Sequence, residues 1–177
     1  MATNFTFKHL DTTDMDIDQI QKEINEYHKL KNFPNVNFYT MQPSDILPNL
    51  PTLAAWFEKQ GLVVDRCAHL GQNPHSKQVL HIDTGSNCLA LNFPIDIVEE
   101  AYTVFYKFKG KLVDRYTPNT NVRYQEYVDD NLEELGRYVL TKPTILHIKL
   151  PHSIVNNSDR IRYCFSFRFT KDPWHLT

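Results

Sequence analysis

Glycine is scarce, with 5 residues in 177, and the three cysteines, Cys67, Cys88 and Cys164, include no C-x-x-C pair. An odd number of isolated thiols excludes a disulfide framework and predicts a reducing, cytoplasmic setting. Each cysteine falls in a strand-like segment, where the ordinary role is that of a small buried hydrophobe. No apolar run approaches the roughly 20 residues of a membrane-spanning helix, so no membrane partner is expected. The opening Met1-Ala-Thr-Asn-Phe-Thr-Phe is not a secretory signal. Charge of one sign is missing too: 19 Lys and Arg face 21 Asp and Glu, a net charge of −2. With neither bulk positive charge nor a basic stripe or aromatic ladder, nucleic acid is not an expected partner; Arg115, Arg123 and Arg137 are the only rim candidates. There is no internal repeat and no low-complexity segment.

What is present is a core. The chain is 41% hydrophobic and 12% aromatic, enough for one globular domain over residues 1–177. Residues 1–61 read as a helical N-terminal extension. A loose alternation of Phe5, Phe7 and His9 predicts an edge strand. Asp14 or Asp16 then caps a helix whose stripe is Ile17, Ile20, Ile24 and Tyr27, with His28 on its surface. Residues 31–52 hold Pro34, Pro43, Pro48 and Pro51 and read as an extended connector. A second helix, Thr52–Gln60, turns Leu53, Trp56 and Phe57 inward and stops at Gly61.

From Leu62 onward the pattern is one of short strands. They are Leu62–His69, Gln78–Asp83, Asn87–Ile95, Ala101–Phe108, Leu112–Tyr116 and Thr144–Leu150, with a turn at 71–74 and a turn-rich stretch over 117–128. A short helix carrying Leu132 and Leu135, capped by Asp129 or Asp130, interrupts them. Many short strands with few helices predict a mainly β fold. The expected architecture is a double-stranded β-helix (a jelly roll, cupin-like) over 62–177, buttressed by the N-terminal helices.

Two motifs carry chemistry. In His81-Ile82-Asp83 the period of two on a strand puts an imidazole and a carboxylate on one face. With one more histidine they make a 2-His-1-carboxylate set of the kind that holds non-haem Fe(II) with open positions. His152 is the candidate third ligand. It opens a strand–turn–strand segment whose turn is Asn156-Asn-Ser-Asp159. Beyond the turn, Ile161, Tyr163, Phe165, Phe167 and Phe169 alternate with Arg160, Arg162, Cys164, Ser166 and Arg168, one apolar face against one basic face. Arg162 lies ten residues past His152 and has no evident acidic neighbour of matching parity. A guanidinium on an inner face needs an anion, and a bidentate carboxylate suits it. His69, His75 and His147 read as hydrogen-bonded or surface histidines, and His147 falls on the face opposite to His152.

The order H-x-D, a long gap, P-H, then Arg and Ser resembles the Fe(II)/2-oxoglutarate-dependent dioxygenases. HIDTGSNCLALNFPI and LPHSIVNNSDRIRYCFSFRF are similar to segments of the aspartyl/asparaginyl β-hydroxylase-like branch and its small phage-encoded relatives, as is the closing Asp172-Pro-Trp174-His175-Leu176. That resemblance implies Fe(II) on His81, Asp83 and His152, with 2-oxoglutarate and O2 as cosubstrates. It also implies Arg162 as clamp for the distal carboxylate of 2-oxoglutarate and Ser166 beside it. Asn92 and Tyr106 are further cosubstrate contacts, chosen on inward parity. Two departures stand out. The branch carries an Arg nine residues after its first metal histidine, where this chain has Ala90, and it often lacks the carboxylate ligand kept here as Asp83. The general chemistry therefore carries over better than an aspartyl substrate does, and the prime substrate is open. The rival readings are a cupin-like metal-binding protein that uses no 2-oxoglutarate, and a jelly roll that has lost catalysis and only binds or builds.

Overall fold

The computed structural model describes residues 5–34, 37–117, 121, 123–128 and 131–177. Two antiparallel sheets dominate. The six-stranded sheet runs in the order β1 (Phe7–His9), β11 (Thr144–His147), β6 (Leu89–Pro94), β13 (Arg162–Phe169), β3 (Val64–Gln72), β2 (Phe38–Met41). The seven-stranded sheet runs β10 (Glu134–Val139), β7 (Ala101–Tyr106), β12 (His152–Asn156), β5 (His81–Ile82), β9 (Arg123–Val128), β8 (Lys111–Tyr116), with β4 (Ser76–Lys77) also on β12. This is a double-stranded β-helix.

The N-terminal segment supplies helices α1 (Ile17–Lys31), α2 (Pro43–Ile46) and α3 (Pro51–Lys59). Asp16 caps α1, its carboxylate accepting from the Gln19 amide at 3.2 Å. Ile20, Ile24 and Tyr27 of α1 are buried with Leu53, Trp56 and Phe57 of α3. The buried Glu23 joins the two helices, accepting hydrogen bonds from the Thr52 amide and hydroxyl at the start of α3. The helices cover the outer face of the six-stranded sheet, where Phe165, Phe167 and Phe169 of β13 meet Leu89, Leu91 and Phe93 of β6. The other residues of those strands face between the sheets. A smaller core there holds Ala90, Phe105, Leu146, Ile148 and Cys164.

Several local expectations change. The 31–52 connector is not simply extended: it contains β2, α2 and a 3-10 turn at Leu47–Asn49, because its prolines open short helical turns. The first two strands, β1 and β2, come from the N-terminal segment and form the two edges of the six-stranded sheet. Gly71 and Gln72 continue β3, and the turn sits one step later at His75, whose φ is +47°. Residues 123–128 form β9, paired with β8 through cross-strand charge pairs such as Arg115–Glu126 and Arg123–Asp114. No helix spans 131–135. Leu135 lies in β10, which completes the hydrogen bonding of β7; a six-residue helix offers few internal bonds in exchange. The proposed caps Asp129 and Asp130 lie outside the described residues, as do residues 1–4 of the first strand.

Candidate metal centre

His81 and His152 are directly opposite each other across β5 and β12. Side chains opposite each other share a face of the sheet, and the two imidazoles lie with ring centroids 4.4 Å apart. Both are buried. Each ring donates its Nδ1–H to the backbone carbonyl two residues back, His81 to Val79 and His152 to Leu150, both at 2.9 Å. A carbonyl can only accept, so each ring is held in the tautomer whose Nε2 lone pair is free. Asp83 brings its Oδ1 to 3.5 Å from His81 Nε2. One ligand atom from each of the three residues lies within 4.8 Å of the others. Metal–ligand bonds of about 2 Å need only small side-chain rotations from there. Two neutral imidazoles and one carboxylate are the donor set of non-haem Fe(II) centres, so the residues fit that metal.

The electrostatics point the same way. Burial raises the Asp83 carboxyl, but the close approach of His81 and the charge of Arg168 outweigh it and hold the group below the ordinary carboxylate range. Burial, with the charge of His81, pushes His152 down to about 4. At neutral pH His152 is therefore an uncharged imidazole beside an anionic carboxylate. The loop after Asp83 is tied down by Lys149, whose ammonium donates to the carbonyls of Asp83 and Gly85 at 2.7 and 2.8 Å.

A cavity of about 600 Å³ opens on this set between the sheets. Arg162, Ser166 and Arg168 of β13 line it, all on the face opposite to the phenylalanines. The three arginines of the alternating strand have different fates. Arg160 turns outward and donates to the Ile97 carbonyl. Arg168 donates to Asp83 Oδ2 at 2.7 Å and to Ser166 Oγ at 2.7 Å. Arg162 is 3% exposed, and its buried Nη2 meets no acceptor. Asn92 lines the same cavity with its Oδ1 unpartnered.

Tyr106 is half-buried on the other face of β7 from the cavity-lining Thr103, and it is not among the residues that line the cavity. Tyr138, which sequence reasoning missed, sits opposite Thr103 across β10 and β7. It is 4% exposed, and burial outweighs the nearby charge of Arg162 and the contacts with Thr103 and Asn92 to raise it. The only sequence signal for Tyr138 is inward parity on a strand whose first residues, around Leu135, the sequence assigns to a short helix. Ala90, where a second arginine was absent, is packed in the inner core.

The remaining histidines stand apart from the metal set. His75 is exposed and bonded to Asp159 at 2.8 Å. His147 packs against Phe5 and Trp174. His28 is not a surface residue but half-buried over His69, which is 1% exposed, stacks on Phe33 at 4.1 Å, and has neither ring nitrogen hydrogen-bonded.

No family model matches the chain, and no curated protein matches it significantly. Solved structures do. The alpha-ketoglutarate-dependent epimerase SnoN from nogalamycin biosynthesis, solved with Fe3+ and alpha-ketoglutarate, superposes with TM-score 0.55 at 16% identity, covering 92% of this chain and 77% of its own. The non-haem alpha-ketoglutarate-dependent carbocyclase SnoK gives TM-score 0.53 at 12% identity over 93% of this chain and 79% of its own. A prolyl-4-hydroxylase from Pseudomonas putida gives 0.50 at 10% identity over 94% and 92%. At such identities the likeness is one of fold: the chain shares the double-stranded β-helix of these enzymes.

Proposed function

We propose that this protein is an Fe(II)- and 2-oxoglutarate-dependent oxygenase. The observation that carries the reading is Arg162. A guanidinium 3% exposed, with a buried Nη2 and no acceptor, is costly as it stands and calls for an anion. It lies in the cavity onto which His81, Asp83 and His152 also open. A dicarboxylate that chelates a metal at one end and reaches an arginine at the other meets both needs. The Asn92 amide, whose Oδ1 has no partner and which can turn its NH2 inward, and the Tyr138 hydroxyl add neutral donors around the same carboxylate.

When bound, iron and 2-oxoglutarate supply activation of O2, coupled to oxidative decarboxylation and to oxidation of a second substrate. The chain's own residues do the rest. His81 and His152 present Nε2 and Asp83 presents Oδ1. Arg162 fixes the cosubstrate carboxylate, and Ser166 offers its hydroxyl hydrogen beside it. The walls of Leu146, Ile148 and Ile154 keep the cavity apolar between these polar points. The substrate oxidised in the aspartyl/asparaginyl branch is an amino-acid side chain, and a small amino-acid or peptide group is the corresponding candidate here. A cupin-like metal protein without 2-oxoglutarate would leave the Arg162 guanidinium without a use.

The test is calorimetric titration of 2-oxoglutarate into protein loaded with Mn(II) as a redox-silent stand-in. Binding is expected to depend on metal, and Arg162→Met is expected to weaken it by about 2–5 kcal/mol, the cost of removing one partner of a buried charged pair. No binding by the parent protein, or equal binding by the variant, overturns the reading.

A further inference from the structure

We infer that the prime substrate is a small anion, carrying a carboxylate or a phosphate, whose charged group docks on Arg66 at the mouth of the cavity. The inference rests on the oxygenase reading, which gives Arg162 to the cosubstrate.

The first support is the charge of the chamber. Among the described residues, five basic side chains line it, Arg66, Lys77, Arg123, Arg162 and Arg168, against the single carboxylate of Asp83. Asp83 is committed to Arg168 and the histidines. Arg123 is held at the rim by Asp114 at 2.8 Å, and the neighbouring Glu126 is taken by Arg115 at 2.7 Å. A ferrous ion and 2-oxoglutarate carry opposite charges of equal size, so loading the site leaves the excess of cations in place. A concave site with that excess concentrates anions and repels cations.

The second support is where Arg66 stands. It is the cross-strand partner of Arg168 on β3 and β13, so both side chains rise from the same inner face. Their backbones are one strand spacing apart, about 4.8 Å. Arg168 clasps the metal carboxylate, so an anion received by Arg66 binds one strand away from the residue that holds the metal set. The guanidinium is also steered. Its Nη2 lies over Gly85, where a Cβ would come within 3.3 Å, and reaches Asn87 Oδ1 at 3.5 Å. The φ of +103° at Gly85 already favours glycine, and the missing side chain leaves room for the arginine above the turn that follows Asp83.

The third support is that Arg66 is free to exchange partners. Its ion pair with the adjacent Asp65, at 3.3 Å, is about half exposed on both sides, a class of contact that holds weakly. Lys77, from the other sheet, makes no ion pair with any described residue and offers a second positive charge across the opening.

The test uses protein loaded with Mn(II) and saturating 2-oxoglutarate, so that Arg162 is occupied. Small carboxylic acids and phosphate monoesters are titrated beside their own methyl esters or dephosphorylated alcohols, with binding read by ligand-observed NMR. Anionic members are expected to bind more tightly than their neutral partners. Arg66→Met should weaken them about tenfold or more, the scale of a hydrogen bond to a charged group, while 2-oxoglutarate affinity and thermal midpoint stay unchanged. Arg66→Lys should retain part of the binding. The carboxylate and phosphate arms decide which anion is meant. Equal binding of neutral partners, binding indifferent to Arg66→Met, or no binding by any member overturns the inference. If the parent protein takes up no 2-oxoglutarate, the same titrations run on Arg162→Met protein. Arg66-dependent anion binding there keeps this site while the oxygenase reading falls, and its absence removes both.

Discussion

Arg168 and Asp83 are 85 positions apart in the chain and joined by a 2.7 Å ion pair, Nη2 to Oδ2, that leaves the other carboxylate oxygen turned to the histidines. The same guanidinium reaches Ser166. Arg168 thus holds the orientation of the one carboxylate of the metal-ligand set found among the described residues, and the acceptor side of a hydroxyl that lines the cavity.

Arg168→Met should therefore cost metal affinity without removing a ligand. Loss of an outer partner of a ligating group lowers affinity by roughly 10–100-fold. Metal titration followed by competition with a chelator measures it. An unchanged metal constant would mean that Asp83 needs no support from β13.

Metal should also stabilise the fold. A ligand present at a hundred times its dissociation constant adds about 2.7 kcal/mol when only the folded chain binds it. Mn(II) is expected to raise the thermal midpoint of the parent protein and to leave those of His81→Ala and His152→Ala unmoved, with each variant still showing a β-sheet dichroism spectrum. A metal-induced shift that survives in the doubly substituted chain would reject these ligands.

The two tyrosines separate the geometry of β7 from that of β10. Tyr138→Phe removes a buried hydroxyl within electrostatic reach of Arg162 and should weaken 2-oxoglutarate by about 1 kcal/mol, the worth of one hydrogen bond. Tyr106→Phe, on the outer face, should leave it unchanged. Parallel titrations of the two variants check this, and an equal loss in both would contradict the placement.

What the sequence made visible follows from what is local in it. The period of two in His81–Asp83 and in 161–169 is a property of a few neighbouring residues, and both faces of β13 were readable for that reason. Arg160 and Arg168 share the parity of Arg162, and only the likeness of its spacing from His152 to that of the dioxygenases ranks it first; the structure bonds the other two to Ile97 and to Asp83. What depends on partners far away was hidden. No neighbouring residue signals that Asp83 will neutralise Arg168. Strands β9 and β10 carry charges on both faces because they lie toward the solvated side of their sheet, so neither shows the alternation of a half-buried strand. Tyr138 was lost with β10.

His69 gives a pH prediction. Burial, aided by the charge of His28, lowers its pKa from 6.5 to about 4. The folded value lies below the unfolded one, so the unfolded chain binds the extra proton, and stability falls as pH drops from about 6.5 towards 4. Between pH 7 and 5 this single group should remove about 2 kcal/mol. His69→Phe keeps the stack on Phe33, deletes two unpartnered nitrogens, and should flatten that loss while raising stability at pH 7 by about 1 kcal/mol. Denaturant melts at both pH values test it; a steeper loss in the variant would exclude His69 as the source.

Phe165 is fully buried between β13 and α1, against Tyr27 and Phe33. Phe165→Ala should cost about 3–5 kcal/mol. If urea melts give less than about 1 kcal/mol, the helices are not the packed cover of this sheet that the ring contacts describe.

Strand β13 follows every other strand in the sequence, yet it lies inside its sheet, between β6 and β3. Until residues 162–169 are available, β6 and β3 have no common neighbour and the helices have no phenylalanine face to close on. The sheet cannot grow outward from an early nucleus; it must hold a gap for its last strand. Such an order of assembly, dominated by contacts between distant parts of the chain, makes for slow folding and exposes open strand edges during synthesis. It also delivers Arg162, Ser166 and Arg168 to the cavity in the same event that completes the core. A partly made chain would therefore hold neither a closed barrel nor an arginine-lined chamber.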